Sequence, residues 1–235
     1  MRKLFLLILF MHTFSTFADC PMANLYKGKN DFMEWRSYET CATELNDSEA
    51  QFLVAQTYLN GNKNVTQNLR SAMKYFRLAS ENGYAPAQRE LAKLMDSLND
   101  LGKDGVEAIA EIEEDWQKQN EIKRQPMPAL SWLMLAAERP ENKWFYLVEP
   151  SMDKEAASLL PSMKTKYGNE EVKKASLLAT QWKQEQLMKQ AKSLLTERAY
   201  KQFENIIYPS KLEPPKMTRE QAVEELKKIK MSKRK

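Results

Sequence analysis

The chain has 235 residues, a formal net charge of +4, and 29% charged and 43% hydrophobic residues. That near-neutral balance gives no global support for a nucleic-acid partner. The sole histidine, His12, lies in a segment expected to be removed, so the mature protein would lack imidazole. This excludes Ser-His and Cys-His nucleophile pairs and His-based metal sites.

Residues 1–18 have the form of a secretory signal. Arg2 and Lys3 precede an apolar run from Leu4 to Met11, and Thr16 and Ala18 are the small residues of a cut after Ala18. The run is too short for a stop-transfer helix. Cys20 follows the cut closely, but Asp19 before it fits a lipoprotein site poorly. In an oxidising compartment Cys20 and Cys41 are a candidate disulfide, worth roughly 3 kcal/mol in the chain-entropy model. Two free thiols, or pairing with a partner, stay open at this point.

Residues 19–47 read as an N-terminal capping segment and a helix starting near Asp31. Phe32, Trp35, Tyr38, Cys41 and Ala42 recur at steps of three and four and so share one face. A helix–turn–helix unit follows. Ser48 with Gln51 has capping-box form, Ala50, Val54, Ala55 and Tyr58 mark the apolar face, and Gly61 sits near the helix end. Asn68 is placed to cap a second helix carrying Ala72, Tyr75, Phe76 and Ala79, and Gly83 stands where a left-handed C-cap is expected. The pattern then restarts: Ala50-Gln51 recurs as Ala87-Gln88, and Ala55 as Ala92, each 37 positions later. A period in the thirties with paired helices indicates an α-solenoid.

On these residues the chain resembles the Sel1-like repeat family. The matching positions are Glu49-Ala50-Gln51, Ala55, Tyr58, Gly61, Val65, Ala72, Phe76, Ala79, Gly83 and Ala87-Gln88. Asn62 to Asn64 replace half of the family's double-glycine turn, which implies an altered loop. The second repeat is interrupted, because its second helix resembles Ala129 to Glu138, leaving an insertion at about 96–127. Within it a helix is expected between Asp104 and Lys123, with Val106, Ile109, Ile112 and Trp116 on one face and Glu111, Glu113, Glu114 and Asp115 on a solvated one. Pro126 and Pro128 end it. Residues 153–183 resemble the C-terminal unit that follows such arrays, through Leu159, Leu160, Met163, Ala175, Ala179 and Trp182, with Pro161 awkwardly placed. The repeat region thus spans 48–183. A long helix from about Glu170 extends through 184–208, with Val172, Leu178, Trp182, Met188, Leu195 and Ile206 on its stripe, and 209–235 forms a Pro-broken basic amphipathic tail. The expected fold is all-α: a short α-solenoid of helix–turn–helix repeats with an interrupted second repeat and a long C-terminal helix.

Signs of chemistry are few. Glu111 and Asp115 fall at helical spacing and read as a solvated face. No phosphate-binding loop is present, and the 13 methionines are scattered. Trp116, Trp144 and Phe145 fall outside the repeat pattern and are candidate partner contacts. Lys227, Lys228 and Lys230 in the tail could meet an acidic protein patch or, weakly, an anionic membrane surface. The resemblance implies a periplasmic adaptor that binds other proteins of the cell envelope, without catalysis, cofactor, metal or nucleic acid. It is similar in size and repeat count to an exported group found in polar flagellar motors. An envelope-associated structural factor anchored by the tail or by Cys20 is the alternative, and a cell-wall hydrolase a more distant one.

Overall fold

The computed structural model describes Cys20, Ala23, Lys27, residues 31–120, 125–138 and 153–194, Glu197 and Tyr200. The expected signal at 1–18 and the tail at 209–235 lie outside the described residues. Every regular element among those described is helical: α1 (Asp31–Glu44), α2 (Ser48–Asn60), α3 (Leu69–Glu81), α4 (Ala85–Asn99), α5 (Lys103–Gln119), α6 (Ala129–Ala137) and α7 (Lys154–Leu194). Two compact units divide the chain, Met1–Thr180 and Gln181–Lys235.

In the first unit, α2 pairs with α3 and α4 with α6, while α1 covers α2 and α3 joins the two pairs. Small side chains allow this close approach. Ala50, Ala55, Ala72, Ala79, Ala87 and Ala92 are all fully buried, beside Val54, Phe76, Leu91 and Trp132. The recurring glutamine has a physical role. Gln51 Nε2 donates to the Ala42 carbonyl at 3.1 Å, and Gln88 Nε2 donates to the Ser80 carbonyl at 3.1 Å. Each repeat glutamine, itself buried, therefore satisfies a carbonyl in the last turn of the preceding helix, where intrahelical donors run out. Gln51 also meets Asn46 at 2.7 Å and Asn82 at 3.1 Å, which ties three helix ends together.

This role corrects the expected capping box. The N-cap of α2 is Asp47, not Ser48: its carboxylate accepts from the Ala50 amide at 2.6 Å. Gln51 is thereby free to turn inward. Asn68 caps α3 as expected, accepting from the Ser71 amide at 2.9 Å. Gly83 has φ 81°, the left-handed conformation expected there. In the α2–α3 turn, Asn62 Oδ1 accepts from the Asn64 and Val65 amides, both at 2.8 Å, and so does the work of the missing glycine.

The insertion forms α5, which packs on α4 and α3. Its buried positions are Gly105, Glu113 and Trp116, with Ile109 and Ile112 partly buried. Two expectations fail here. Val106, placed on the apolar face, is 51% exposed, and Glu113, placed on the solvated face, is only 3% exposed. Glu113 turns inward because Arg77 of α3 meets it at 2.8 Å. Arg77, itself 3% exposed, also meets Glu81 at 3.2 Å and lies 4.6 Å over the Trp132 ring of α6. One guanidinium thus joins both helix pairs to the insertion. On the surface, Arg70 holds Glu111 at 2.7 Å and Asp115 at 3.0 Å.

Asp153 caps α7, accepting from the Ala156 amide at 2.9 Å, and pairs with Arg89 of α4 at 2.5 Å. Burial alone would raise the Asp153 carboxyl; the Arg89 and amide hydrogen bonds outweigh it and hold its pKa below the ordinary value. Lys166 bridges Asp96 and Asp100 at 2.9 and 2.7 Å, and the Tyr167 hydroxyl donates to Asp96 at 2.7 Å. Pro161 is carried inside the helix on its exposed side. Gly168, with φ 78°, breaks α7 and redirects it, so that the Ser131 hydroxyl of α6 reaches the Ala175 carbonyl at 3.0 Å. In the second unit, α7 runs on to Leu194, with Trp182, Met188 and Ala191 buried. Leu195 and Ile206 of the expected stripe lie outside the described residues.

Candidate functional site

α1 and α2 border a groove of about 410 Å³. Helical spacing sets its wall. Asp31, Glu34, Trp35 and Tyr38 project from α1, and Leu53, Gln56 and Asn60 from α2. Trp35 and Tyr38 are its aromatic lining, and Trp35 is backed by rings that do not themselves line the groove. Trp35 stands edge-on to Tyr58 at 6.3 Å between ring centroids, and Tyr58 stacks on Tyr75 at 5.9 Å. Burial, with the carboxylates of Glu34 and Glu49 behind it, raises the Tyr38 hydroxyl pKa; burial and Glu39 do the same for Tyr58. Both phenols are therefore neutral at neutral pH.

Cys20 and Ala23 pack beside α1 and α2. Cys20 and Cys41 form a disulfide, with Cα atoms 5.9 Å apart. With Ala23, Ala42, Ala50 and Val54 they make a buried cluster on which Tyr38, Tyr58 and Tyr75 rest. The bridge therefore belongs to the cluster that backs Tyr38, which lines the groove, and the neighbouring Tyr58 and Tyr75.

A second, smaller depression of about 220 Å³ lies where α5 meets α3, lined by Arg70, Lys74, Arg77, Glu113 and Trp116. Its charged groups are largely committed to one another through the pairs described above. Trp116, a candidate partner contact from the sequence, is only 6% exposed and lines this depression. The other candidates, Trp144, Phe145, Lys227, Lys228 and Lys230, lie outside the described residues. Sequence reasoning placed Trp35 and Tyr38 on the apolar face of α1 and missed their part in a groove. The available clue was a surplus of aromatics, Phe32, Trp35 and Tyr38, on one short helix.

Among the described residues no cluster of His, Cys, Asp and Glu could hold a metal ion, and no helix is long and apolar enough to cross a membrane.

No family model and no curated protein matches the chain. Solved structures similar to it include two Sel1-repeat or SLR-fold proteins. A Sel1 repeat protein from Oxalobacter formigenes is 21% identical over 68% of this chain and 79% of its own, with a TM-score of 0.30. A protective antigen of uropathogenic Escherichia coli strains, displaying an SLR fold, is 16% identical over 77% of this chain, with a TM-score of 0.28. The chain spans about half (48%) of that antigen. The molecule's own helices form two pairs of a helix–turn–helix repeat, with Gln51 and Gln88 in equivalent roles and the second pair interrupted by α5.

Proposed function

We propose that this chain is a non-catalytic protein–protein interaction adaptor, exported to the periplasm and acting among proteins of the cell envelope. The observation that carries the reading is the groove between α1 and α2. It combines half-buried aromatic rings with amide and carboxylate groups at its edges, the composition of a surface that holds another polypeptide. The signal-like residues 1–18 and the disulfide, which persists in oxidising compartments, support export.

Two measurements test the proposal. Mass spectrometry of the protein from a periplasmic fraction should show a mature chain starting at Asp19. An intact Met1 in the cytoplasmic fraction would refute export. Affinity capture from envelope extract should recover a specific partner with the native chain and lose it with Trp35→Ala. A partner retained by that variant but lost on removing 209–235 would move the site to the tail and favour the anchored structural factor. Capture of nothing by any of them would refute the adaptor reading.

A further inference from the structure

Two Asn–Gly bonds stand in the sequence, Asn60–Gly61 at the end of α2 and Asn82–Gly83 just past the end of α3. An asparagine in front of glycine can lose its amide without an enzyme. Glycine has no Cβ, so its backbone nitrogen approaches the preceding side chain unhindered. That nitrogen gives up its proton and attacks the asparagine Cγ. The new C–N bond closes a five-membered imide, the Cγ–Nδ2 bond breaks, and ammonia leaves with a proton. Water then opens the imide at either carbonyl, giving aspartate or isoaspartate. Water is the one co-reactant, and nothing is oxidised or reduced. In an unfolded chain the two bonds are chemically alike, so any difference between them is set by the fold.

The fold treats them alike at the attacking nitrogen and differently at the side chain. The Gly61 amide donates to the Thr57 carbonyl at 2.8 Å, and the Gly83 amide to the Ser80 carbonyl at 3.0 Å. Each of these bonds lies at a helix end, where local opening costs least, and each must open before attack. Asn82 has more to release. Its Nδ2, the leaving nitrogen, donates to Asn46 Oδ1 and to Gln51 Oε1, both at 3.1 Å. Gln51 is itself buried and anchored on the Ala42 carbonyl, so one of these acceptors is fixed. Asn60 is exposed, and its side chain has no hydrogen-bond partner among the described residues. Two neutral hydrogen bonds amount to a factor of roughly ten or more in how often the side chain is free to react.

We propose that Asn60 is a site of spontaneous deamidation in the folded protein, and that the contacts of Asn82 with Asn46 and Gln51 protect the second Asn–Gly bond. Asn60 lines the α1–α2 groove, so each conversion adds a carboxylate to a lining that already holds Asp31 and Glu34. It also places negative charge at the C-terminus of α2, where the helix dipole disfavours it. The chemistry is independent of the adaptor reading and goes beyond it.

The test incubates the full mature chain, in its oxidised form, at mildly alkaline pH and body temperature, beside the same chain unfolded in concentrated urea. Samples are digested in acid, where the reaction is slow, and peptides carrying each asparagine are weighed by mass spectrometry for aspartate and isoaspartate. In the folded chain Asn60 should convert about tenfold faster than Asn82, and in urea the two rates should agree within about twofold. Asn46→Gly removes one acceptor from Asn82 and tolerates the left-handed backbone at that position, φ 52°. It should speed conversion of Asn82 about fivefold and leave Asn60 unchanged. Circular dichroism confirms that the variant is folded; should it fail that check, the comparison of folded and unfolded native chain decides. Equal rates at the two positions in the folded chain, or a faster Asn82, would overturn the proposal. So would an Asn60 that stays intact while the unfolded chain converts completely. Capture from envelope extract is not affected by any of these outcomes, so the adaptor reading stands or falls separately.

Discussion

Replacing Gly105 by alanine sets two effects of opposite sign against each other. In a helix, alanine is favoured over glycine by about 0.8–1.0 kcal/mol, so propensity alone predicts a more stable protein. The packing predicts the reverse. A Cβ at position 105 would lie 1.8 Å from the Leu98 carbonyl oxygen and 2.7 Å from its carbon. A carbon–oxygen contact needs about 3.3 Å, so the start of α5 would have to move by roughly 1.5 Å. Both neighbours are backbone, and eight residues on α5 is pinned through Glu113 to Arg77. Forced overpacking of this kind costs about 1–3 kcal/mol, which offsets or exceeds the propensity gain, for a net loss of about 0–2 kcal/mol where propensity alone would give a gain. Urea unfolding followed by circular dichroism and tryptophan fluorescence measures it. Ala110→Gly, at an exposed position of the same helix, calibrates the propensity effect in place. If Gly105→Ala gained about what Ala110→Gly loses, the close crossing of α4 and α5 would be refuted.

Three further outcomes are expected. Arg77→Met should cost about 3–5 kcal/mol by leaving Glu113 buried without its cation, and adding Glu113→Leu should recover most of the loss; a double variant no better than the single one in thermal denaturation would show that the pair is not the cause. Asp153→Asn should lower stability by about 1–2 kcal/mol at neutral pH. The folded pKa of Asp153 is depressed, so its contribution is complete above the ordinary carboxylate value and fades as pH falls through the lower folded one; urea titrations at pH 7 and pH 3 should show the gap to the native chain closing, and a constant gap would rule out the ionised contact. Replacing Cys20 and Cys41 together by serine should cost about 3 kcal/mol, and the loss should match that of the native chain measured under reductant; a native chain indifferent to reductant would mean that the bridge does not form in solution.

What the sequence revealed and what it hid divide along the distance between interacting residues. The helix pairs, the Asn68 cap, the left-handed Gly83 and the interruption between α4 and α6 all rest on local chemistry or on repetition, and all were legible. The cap of α2 was displaced by a single residue, because Asp47 and Ser48 are both good caps and the choice depended on what Gln51 was needed for. That need, an open carbonyl on α1, lies nine positions away. Glu113 was illegible for a stronger reason. Within the run Glu111 to Asp115 nothing distinguishes it from its neighbours except Arg77, 36 positions earlier and on another helix. Trp116, placed on the apolar face of the insertion helix and also offered as a partner contact, is 6% exposed, because the insertion brings its own packing face. The groove was invisible because no motif defines it; it arises where α1 leaves part of its aromatic stripe uncovered.

The interruption of the second repeat also bears on the order in which the molecule assembles. The helices α2 and α3 are joined by residues 61–68 alone, whereas α4 and α6 must find each other across 100–128. For flexible connections that difference in length adds roughly 1 kcal/mol of closure entropy, incurred before any α4–α6 contact forms. The first hairpin is therefore the expected nucleus, and α6 the late arrival. Because α5 docks on helices that precede it in the chain, it can fold onto α3 and α4 first and shorten the search that α6 has left to make. Read this way, the insertion that disrupts the repeat in sequence serves as a stepping stone in time.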